Sequence, residues 1–296
     1  MKTLDENPLV SIVMNCYDGE RYLHDSLDSI FKQSYNNFEL IFWDNNSKDR
    51  SKLILDKFRD KRIKYYKSDN NTKLYFARNL AIKKCSGEII TFLDVDDIWE
   101  EKKLETQVNF FKNNKDCDFI YTDYWIFEEK SKYKKKITPN KKNYSSITNS
   151  LLKNYDIGLL TIAFKANILD KYSIRFNNHY RIIGDFDFVL NLSQFCTFHC
   201  IGIPLANYRV HDESETAKNY GKMITELKEW YKEKKNQESF KQHKNFKNFN
   251  QKITYYEGIY SLMTGDKFLF IKSIKNLKFG GYKIRLILRK IKSLYK

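Results

Sequence analysis

The chain has 296 residues, is 42% hydrophobic and contains only three prolines and ten glycines, a composition that excludes a disordered or linker-rich protein and leaves one or two domains with a sizeable core. The formal net charge is +16, yet nearly all of it lies beyond Thr216, where 20 basic residues stand against 6 acidic ones, so an anionic partner is expected at the C-terminal end. Five cysteines without a CxxC spacing argue against a zinc site or a disulfide framework and fit a reducing, cytosolic compartment; Met1 to Pro8 is polar with no apolar signal-peptide core, and no run approaches the ~18 apolar residues of a membrane span.

The first half alternates strand and helix patterns. Val10 to Cys16 is an apolar, β-branched run, followed by helical spacing of Tyr22, Leu23, Leu27, Ile30 and Phe31 within Arg21 to Gln33. A second buried strand, Phe38 to Trp43, ends in Asp44-Asn45-Asn46-Ser47. A helix over Asp49 to Phe58, a strand over Ile63 to Tyr66, a helix over Leu74 to Lys84 and a strand over Glu88 to Leu93 come next. Lys103 to Phe111 reads as helix and Phe119 to Phe127 as strand. Near-continuous apolar strands alternating with helices predict a mostly parallel α/β sheet covered on both faces.

The second half is less regular. Lys130 to Asn149 reads as a basic surface loop, Gly158 to Phe164 as a strand, Asp187 to Phe195 as a helix and Phe198 to Ile203 as a strand, closed by Tyr208-Arg209-Val210-His211. Beyond Thr216 the pattern is helical, with Met223 to Tyr231 and then a helix pair, Ile253 to Met263 and Lys267 to Leu277, joined at Thr264-Gly265-Asp266. Two regions follow: 1–215, carrying the sheet, and a helical, basic 216–296.

Asp94, Asp96 and Asp97 crowd three carboxylates into four positions where the fourth strand leaves the sheet. Uncompensated negative charge there is costly, and ligands of parallel sheets bind beyond the carboxyl ends of the strands. Tyr17-Asp18-Gly19 and Asp44-Asn45 fall at the same edge. A divalent cation that also holds phosphate suits such a cluster; an acidic turn that caps the next helix is the plainer alternative.

These segments, in this order, resemble family 2 glycosyltransferases. Pro8 to Val13 opening into Tyr17, Tyr22-Leu23, Gln33-Ser34-Tyr35, Phe38-Glu39-Leu40-Ile41, Asp44 to Ser47, Ala77-Arg78-Asn79, Gly87-Glu88 and Phe92 to Trp99 carry the likeness, which runs from about Leu9 to about His211. The resemblance implies a GT-A (Rossmann-like) fold and sugar transfer, with inversion, from a nucleotide-diphosphate sugar, a UDP-sugar being the best guess, to a surface-glycan or lipid-linked acceptor. It implies Mn²⁺ or Mg²⁺ held by Asp96, with His211 of the Tyr-Arg-Val-His segment completing the site and Arg209 approaching phosphate. Asp94 would contact the ribose or its surroundings, Asp44 the uracil N–H, and Arg78 the donor. Tyr17 borders the base or fills core; Asp97 binds through water or caps a helix; Arg78 has a solvated helix face as its alternative. Asp185 matches the general base, preceded by Gly184 where the family usually has an acid, and Asp187 is the second candidate. That glycine is the one feature favouring a non-catalytic protein on a degenerate GT-A fold.

Tyr282 to Lys296 places Ile284, Ile287, Leu288 and Ile291 at helical spacing among lysines and arginines. Such a helix suits an anionic membrane surface or packs on the protein with a solvated basic face. No nucleic-acid module is recognisable. The expected location is cytoplasmic, peripheral at the inner face of the membrane.

Overall fold

The computed structural model describes residues 4–129, 134–139, 147–212 and 214–294. The chain divides into two compact units, the first comprising 1–147 and 155–211, the second 148–154 and 212–296.

The first unit opens with β1 (Val10–Cys16), α1 (Leu23–Phe31), β2 (Phe38–Asp44), α2 (Ser51–Asp56), β3 (Ile63–Lys67), α3 (Leu74–Ile82) and β4 (Ile89–Phe92). The alternation expected from the sequence is present, because every residue of β1 and β2 is buried and both faces of a buried strand must be apolar. The chain continues through β5 (Ile98–Trp99), α4 (Lys103–Asn113), β6 (Phe119–Glu128), β7 (Lys134–Ile137), α5 (Ile147–Lys153), which from residue 148 on belongs to the second unit, and then β8 (Ala163–Lys165), α6 (Asn167–Lys171), α7 (Gly184–Leu192) and β9 (Phe198–Val210).

One mixed sheet results, in the order β3-β2-β1-β4-β8-β6-β9-β5, with β7 beside β6. The β3-β2-β1-β4 half is parallel throughout. In the other half β8 is antiparallel to both neighbours, β6 runs parallel to β9, and β5 is antiparallel to β9. Cys16 pairs with Asp44 across β1 and β2, so the loops that follow these strands emerge together.

A buried polar knot fixes this register. The Glu39 carboxylate accepts from the Ser11 hydroxyl (2.5 Å) and the Ser86 N–H (2.6 Å) and pairs with Lys64. A Cβ on Gly87 would stand 2.6 Å from the Leu9 carbonyl oxygen, so glycine lets β4 enter against β1.

Three expectations are revised. Gly158 to Phe164 is a 3₁₀ turn, Leu159–Thr161, before the short β8, because the Thr161 hydroxyl turns back to the Gly158 carbonyl and the Trp99 indole takes the Leu160 carbonyl. The last strand does not stop at Ile203 but runs to Val210, passing Pro204 through register shifts opposite Thr122 to Trp125. The supposed loop Lys130 to Asn149 contains β7 and the start of α5; residues 130–133 and 140–146 of it lie outside the described residues.

In the second unit α8 (Glu215–Lys218), α9 (Tyr220–Lys234), α10 (Glu238–Lys241), α11 (Lys244–Lys247), α12 (Phe249–Thr264), α13 (Lys267–Asn276) and α14 (Gly281–Leu294) follow one another. Trp230 is fully buried among Phe240, Phe246 and Phe249. Residues 148–154, left in the first region by the sequence pattern, belong to this unit; the Asn149 and Leu152 carbonyls accept from Asn245 and Lys252. Gly265 turns α12 into α13 at φ 76°, and Asp266 caps α13 by accepting the Leu269 N–H.

Candidate active site

The acidic loop after β4 is held from all sides. The Ser26 hydroxyl of α1 lies 2.7 Å from both the Val95 and the Asp97 carbonyls. Arg209, at the end of β9, donates its backbone N–H to Asp97 (3.0 Å) and its Nε to the Asp96 carbonyl (2.9 Å). The β1–α1 loop lies against it, since a Cβ on Gly19 would meet Val95 at 3.0 Å. Asp97 is thereby neither a helix cap nor a solvent-facing ligand. It is buried, accepts from Arg209, and burial together with Asp96 and Asp94 drives its pKa well above the usual carboxylate range.

Asp96 keeps one oxygen 2.9 Å from His211 Nε2, and burial, reinforced by Asp94, raises its pKa. The His211 ring rests on Tyr22, 4.9 Å between centroids. A carboxylate and an imidazole meeting at one point fit a first-row divalent cation, with phosphate oxygens and water filling the other positions. Among the described residues no cluster of three or more histidine, cysteine or acidic side chains forms a complete cage, so these two would hold the ion only together with its ligand.

Asp94 is committed elsewhere. It accepts from Arg78 Nη2 at 2.6 Å. Arg78 is 2% exposed, which removes the solvated-face alternative. Its guanidinium sits among the Tyr75, Phe92 and Phe176 rings at 5.5–5.8 Å. Asp44 ends β2 with its oxygens on the Ser47 N–H and the Tyr65 hydroxyl, 2.7 Å each; two of the roughly four lone-pair positions of a carboxylate remain. Tyr17 is half exposed, so it is no core residue.

Arg209 is held by side chains of α1 and of the residue just past the end of β6. Its Nη2 donates to Asp25 at 3.1 Å, Glu129 stands 3.9 Å from Nη1, and the guanidinium lies over Tyr22 and Phe127. In this arrangement it clamps the acidic loop.

Asp185 lies in the first turn of α7, one oxygen accepting from the Phe186 N–H at 2.8 Å. Burial raises its pKa; the Phe186 N–H and Arg78 pull it down and Asp94 pushes it up. Arg78 thus bonds one acid of the β4 loop while its charge acts on Asp185, which brings the two ends of the expected site together. Asp187, in the same first turn of α7, is buried.

The chain matches the model described as glycosyl transferase family 2 over residues 11–173. It belongs to that family. It is 39% identical over 169 residues to the UDP-Glc:alpha-D-GlcNAc-diphosphoundecaprenol beta-1,3-glucosyltransferase WfgD of Escherichia coli, covering 57% of this chain and 64% of that one. It is 30% identical over 223 residues to the Escherichia coli enzyme of the same description, WfaP, covering 73% and 83%. Among solved structures, S. aureus TarS 1–349 with UDP-GlcNAc superposes with a TM-score of 0.63 at 16% identity, covering 90% of this chain and 79% of that one. The mannosyltransferase PcManGT of Pyrobaculum calidifontis with GDP-Man and Mn²⁺ gives 0.62 at 14% identity, covering 98% and 81%. These likenesses establish the GT-A fold. The family match ends before Asp185, Arg209 and His211 and does not reach these residues.

Sequence reasoning missed Tyr75, Tyr22, Asp25 and Glu129 as site residues. Tyr22, the residue before α1, was marked by its apolar spacing and by the Tyr22-Leu23 motif, and Asp25 lies three residues on; Glu129, which accepts from Tyr22 at 2.9 Å, gave no signal.

Proposed function

We propose that this protein is an inverting, cation-dependent glycosyltransferase using a UDP-sugar and a lipid-linked surface-glycan acceptor. The observation that carries the reading is the buried Arg78, bonded to Asp94 while its guanidinium lies over the ring of Tyr75, whose hydroxyl is 3.5 Å from Asp185 Oδ1. A donor-holding pole and a basic pole then share one site.

Asp185 would take the proton of the acceptor hydroxyl. A carboxylate whose pKa is raised by burial is the stronger base. Asp96 and His211 would hold Mn²⁺ or Mg²⁺, which supplies positive charge to the departing diphosphate. Tyr17, half exposed after β1, and Asp44, buried at the end of β2 with lone-pair positions to spare, would be the contacts of the nucleoside. The two E. coli relatives use UDP-Glc and a diphosphoundecaprenol-linked sugar by description, which favours that donor and acceptor class here.

We further propose that the second unit rests on an anionic membrane. No helix among the described residues is long and apolar enough to cross one. Along α14, Ile284, Ile287, Leu288 and Ile291 form an exposed stripe, each 41–51% accessible, beside the exposed Arg285 and Arg289. Phe268, Ile271 and Phe279 are also exposed, near Lys272, Lys275 and Lys278. Apolar side chains within a basic surface match the interior and headgroups of an anionic leaflet; the inner face of the cell membrane is the expected location.

The test is transfer from UDP-glucose to an N-acetylglucosaminyl diphospho-lipid with and without Mn²⁺, the anomer read by NMR. Asp96→Ala and Asp185→Ala should each lower turnover by at least about 100-fold with unchanged circular dichroism. Near-parental turnover of Asp185→Ala would refute the base assignment, and an α-linked product would refute inversion.

A further inference from the structure

The first residue of α7 is a glycine for a reason that lies on another helix. A Cβ on Gly184 would stand 2.4 Å from Cδ2 and Cε2 of Tyr75 and 2.7 Å from its Cγ. The ring cannot swing aside cheaply, because it is 3% exposed and stacks on Phe176 at 5.5 Å and 16°. Packed against Gly184, Tyr75 delivers its hydroxyl to the start of α7. There it lies 3.0 Å from the Ile182 carbonyl and 3.5 Å from Asp185 Oδ1. The residue at the N-cap, Ile183, makes no side-chain cap hydrogen bond, and the contact that reaches this helix start from α3 is the donation of the Tyr75 hydroxyl.

We propose that Tyr75 is a positioning residue for the Asp185 carboxylate, and that Gly184 is the vacancy through which its ring reaches that place. The inference rests on Asp185 being the general base and adds what holds it. The Phe186 N–H fixes one oxygen of Asp185 from its own helix; Tyr75 fixes the carboxylate from the opposite helix. The other charged or titratable groups acting with Asp185 are Arg78 on α3, Asp94 on the β4 loop, Tyr124 on β6 and Tyr155 before the 3₁₀ turn.

The single Tyr75 proton is shared between the Ile182 carbonyl at 3.0 Å and Asp185 Oδ1 at 3.5 Å; the part that reaches the carboxylate favours its charged form, so removing it raises the pKa. Tyr75→Phe keeps the ring and loses only the oxygen. Its expected effect is a roughly three- to tenfold fall in kcat at an unchanged KM for UDP-glucose. The acidic limb of the kcat profile moves to higher pH, and the melting temperature is retained. Gly184→Ala pushes the ring off its seat and should move the limb the same way; the double variant should move it no further, the non-additivity expected of one shared contact. The ¹³C-carboxyl titration of Asp185 in the purified protein, assigned with Asp185→Asn, reads the same shift without substrate. Its pKa should rise by roughly half a unit to one unit in Tyr75→Phe. An unmoved titration and an unchanged kcat in Tyr75→Phe would overturn the inference. Full activity of Asp185→Asn would instead overturn the base assignment, whatever Tyr75 does.

Discussion

Single side chains here are placed at a cost to stability. Asp185 is enclosed, and burial raises its pKa, so the folded state holds its proton to higher pH than the unfolded chain does. The folded state therefore pays a growing penalty as pH rises above the ordinary aspartate value. Asp185→Asn removes that penalty and keeps an oxygen for the Phe186 N–H. Its expected outcome is lost transfer with a melting temperature roughly 1–3 °C higher at pH 7, measured by calorimetry beside the parent. Lys103 is a second case. It is fully buried, bonded to Gln107 at 2.8 Å and Thr91 at 3.2 Å and lying 4.0 Å over Trp99, and burial drives its pKa well below the usual lysine range. The unfolded chain then binds more protons, so stability climbs as pH rises toward the ordinary lysine value of about 10.4. Urea midpoints between pH 7 and 9.5 should rise in the parent and flatten in Lys103→Met.

At the scale of elements, the acidic loop is made by its neighbours. Its carbonyls and one carboxylate are taken up by Ser26 of α1 and Arg209 of β9, elements far apart in the chain. Arg209→Lys keeps the charge and the backbone N–H but loses the Nε bond to Asp96 and the flat contact with Tyr22 and Phe127. The expected result is weaker Mn²⁺-dependent UDP binding by calorimetry, about tenfold, with little change in metal-free stability beyond about 1 kcal/mol. Equal UDP affinity in the two proteins would show that the clamp does not shape the site. The regular elements of this scaffold were legible: periodicity marked β1 to β4 and their helices, because buried strands and amphipathic helices write their environment into composition. The order of the second half was not. A three-residue strand such as β8 and a two-residue strand such as β5 carry no period, and their pairing depends on where β6 and β9 already lie.

At the scale of the molecule, charge and apolar exposure separate. The nearly neutral sheet unit carries the candidate site, and the second unit carries most of the positive charge and the exposed stripe of α14. Sedimentation with vesicles containing phosphatidylglycerol should bring the protein down, with binding that weakens as salt screens the lysines and arginines. Ile287→Glu with Ile291→Glu should abolish it while leaving donor binding intact; cosedimentation equal to the parent would remove the membrane reading.

The sequence by itself determined the family, the α/β scaffold, the sheet edge at which Asp44 and Asp94 to Asp97 gather, and the basic character of the C-terminal region. Those properties follow from local pattern: the alternation of apolar runs, the turn residues that end them and the sum of charges. Only the tertiary structure decided which partner each acid takes. It tied Asp94 to a buried Arg78, left Asp96 facing His211, and turned Asp97 inward onto Arg209. It also gave Gly184 its cause in the ring of Tyr75. The physical reason is that hydrogen bonds, desolvation and excluded volume act between residues distant along the chain, and no spacing in the sequence records which of them will meet.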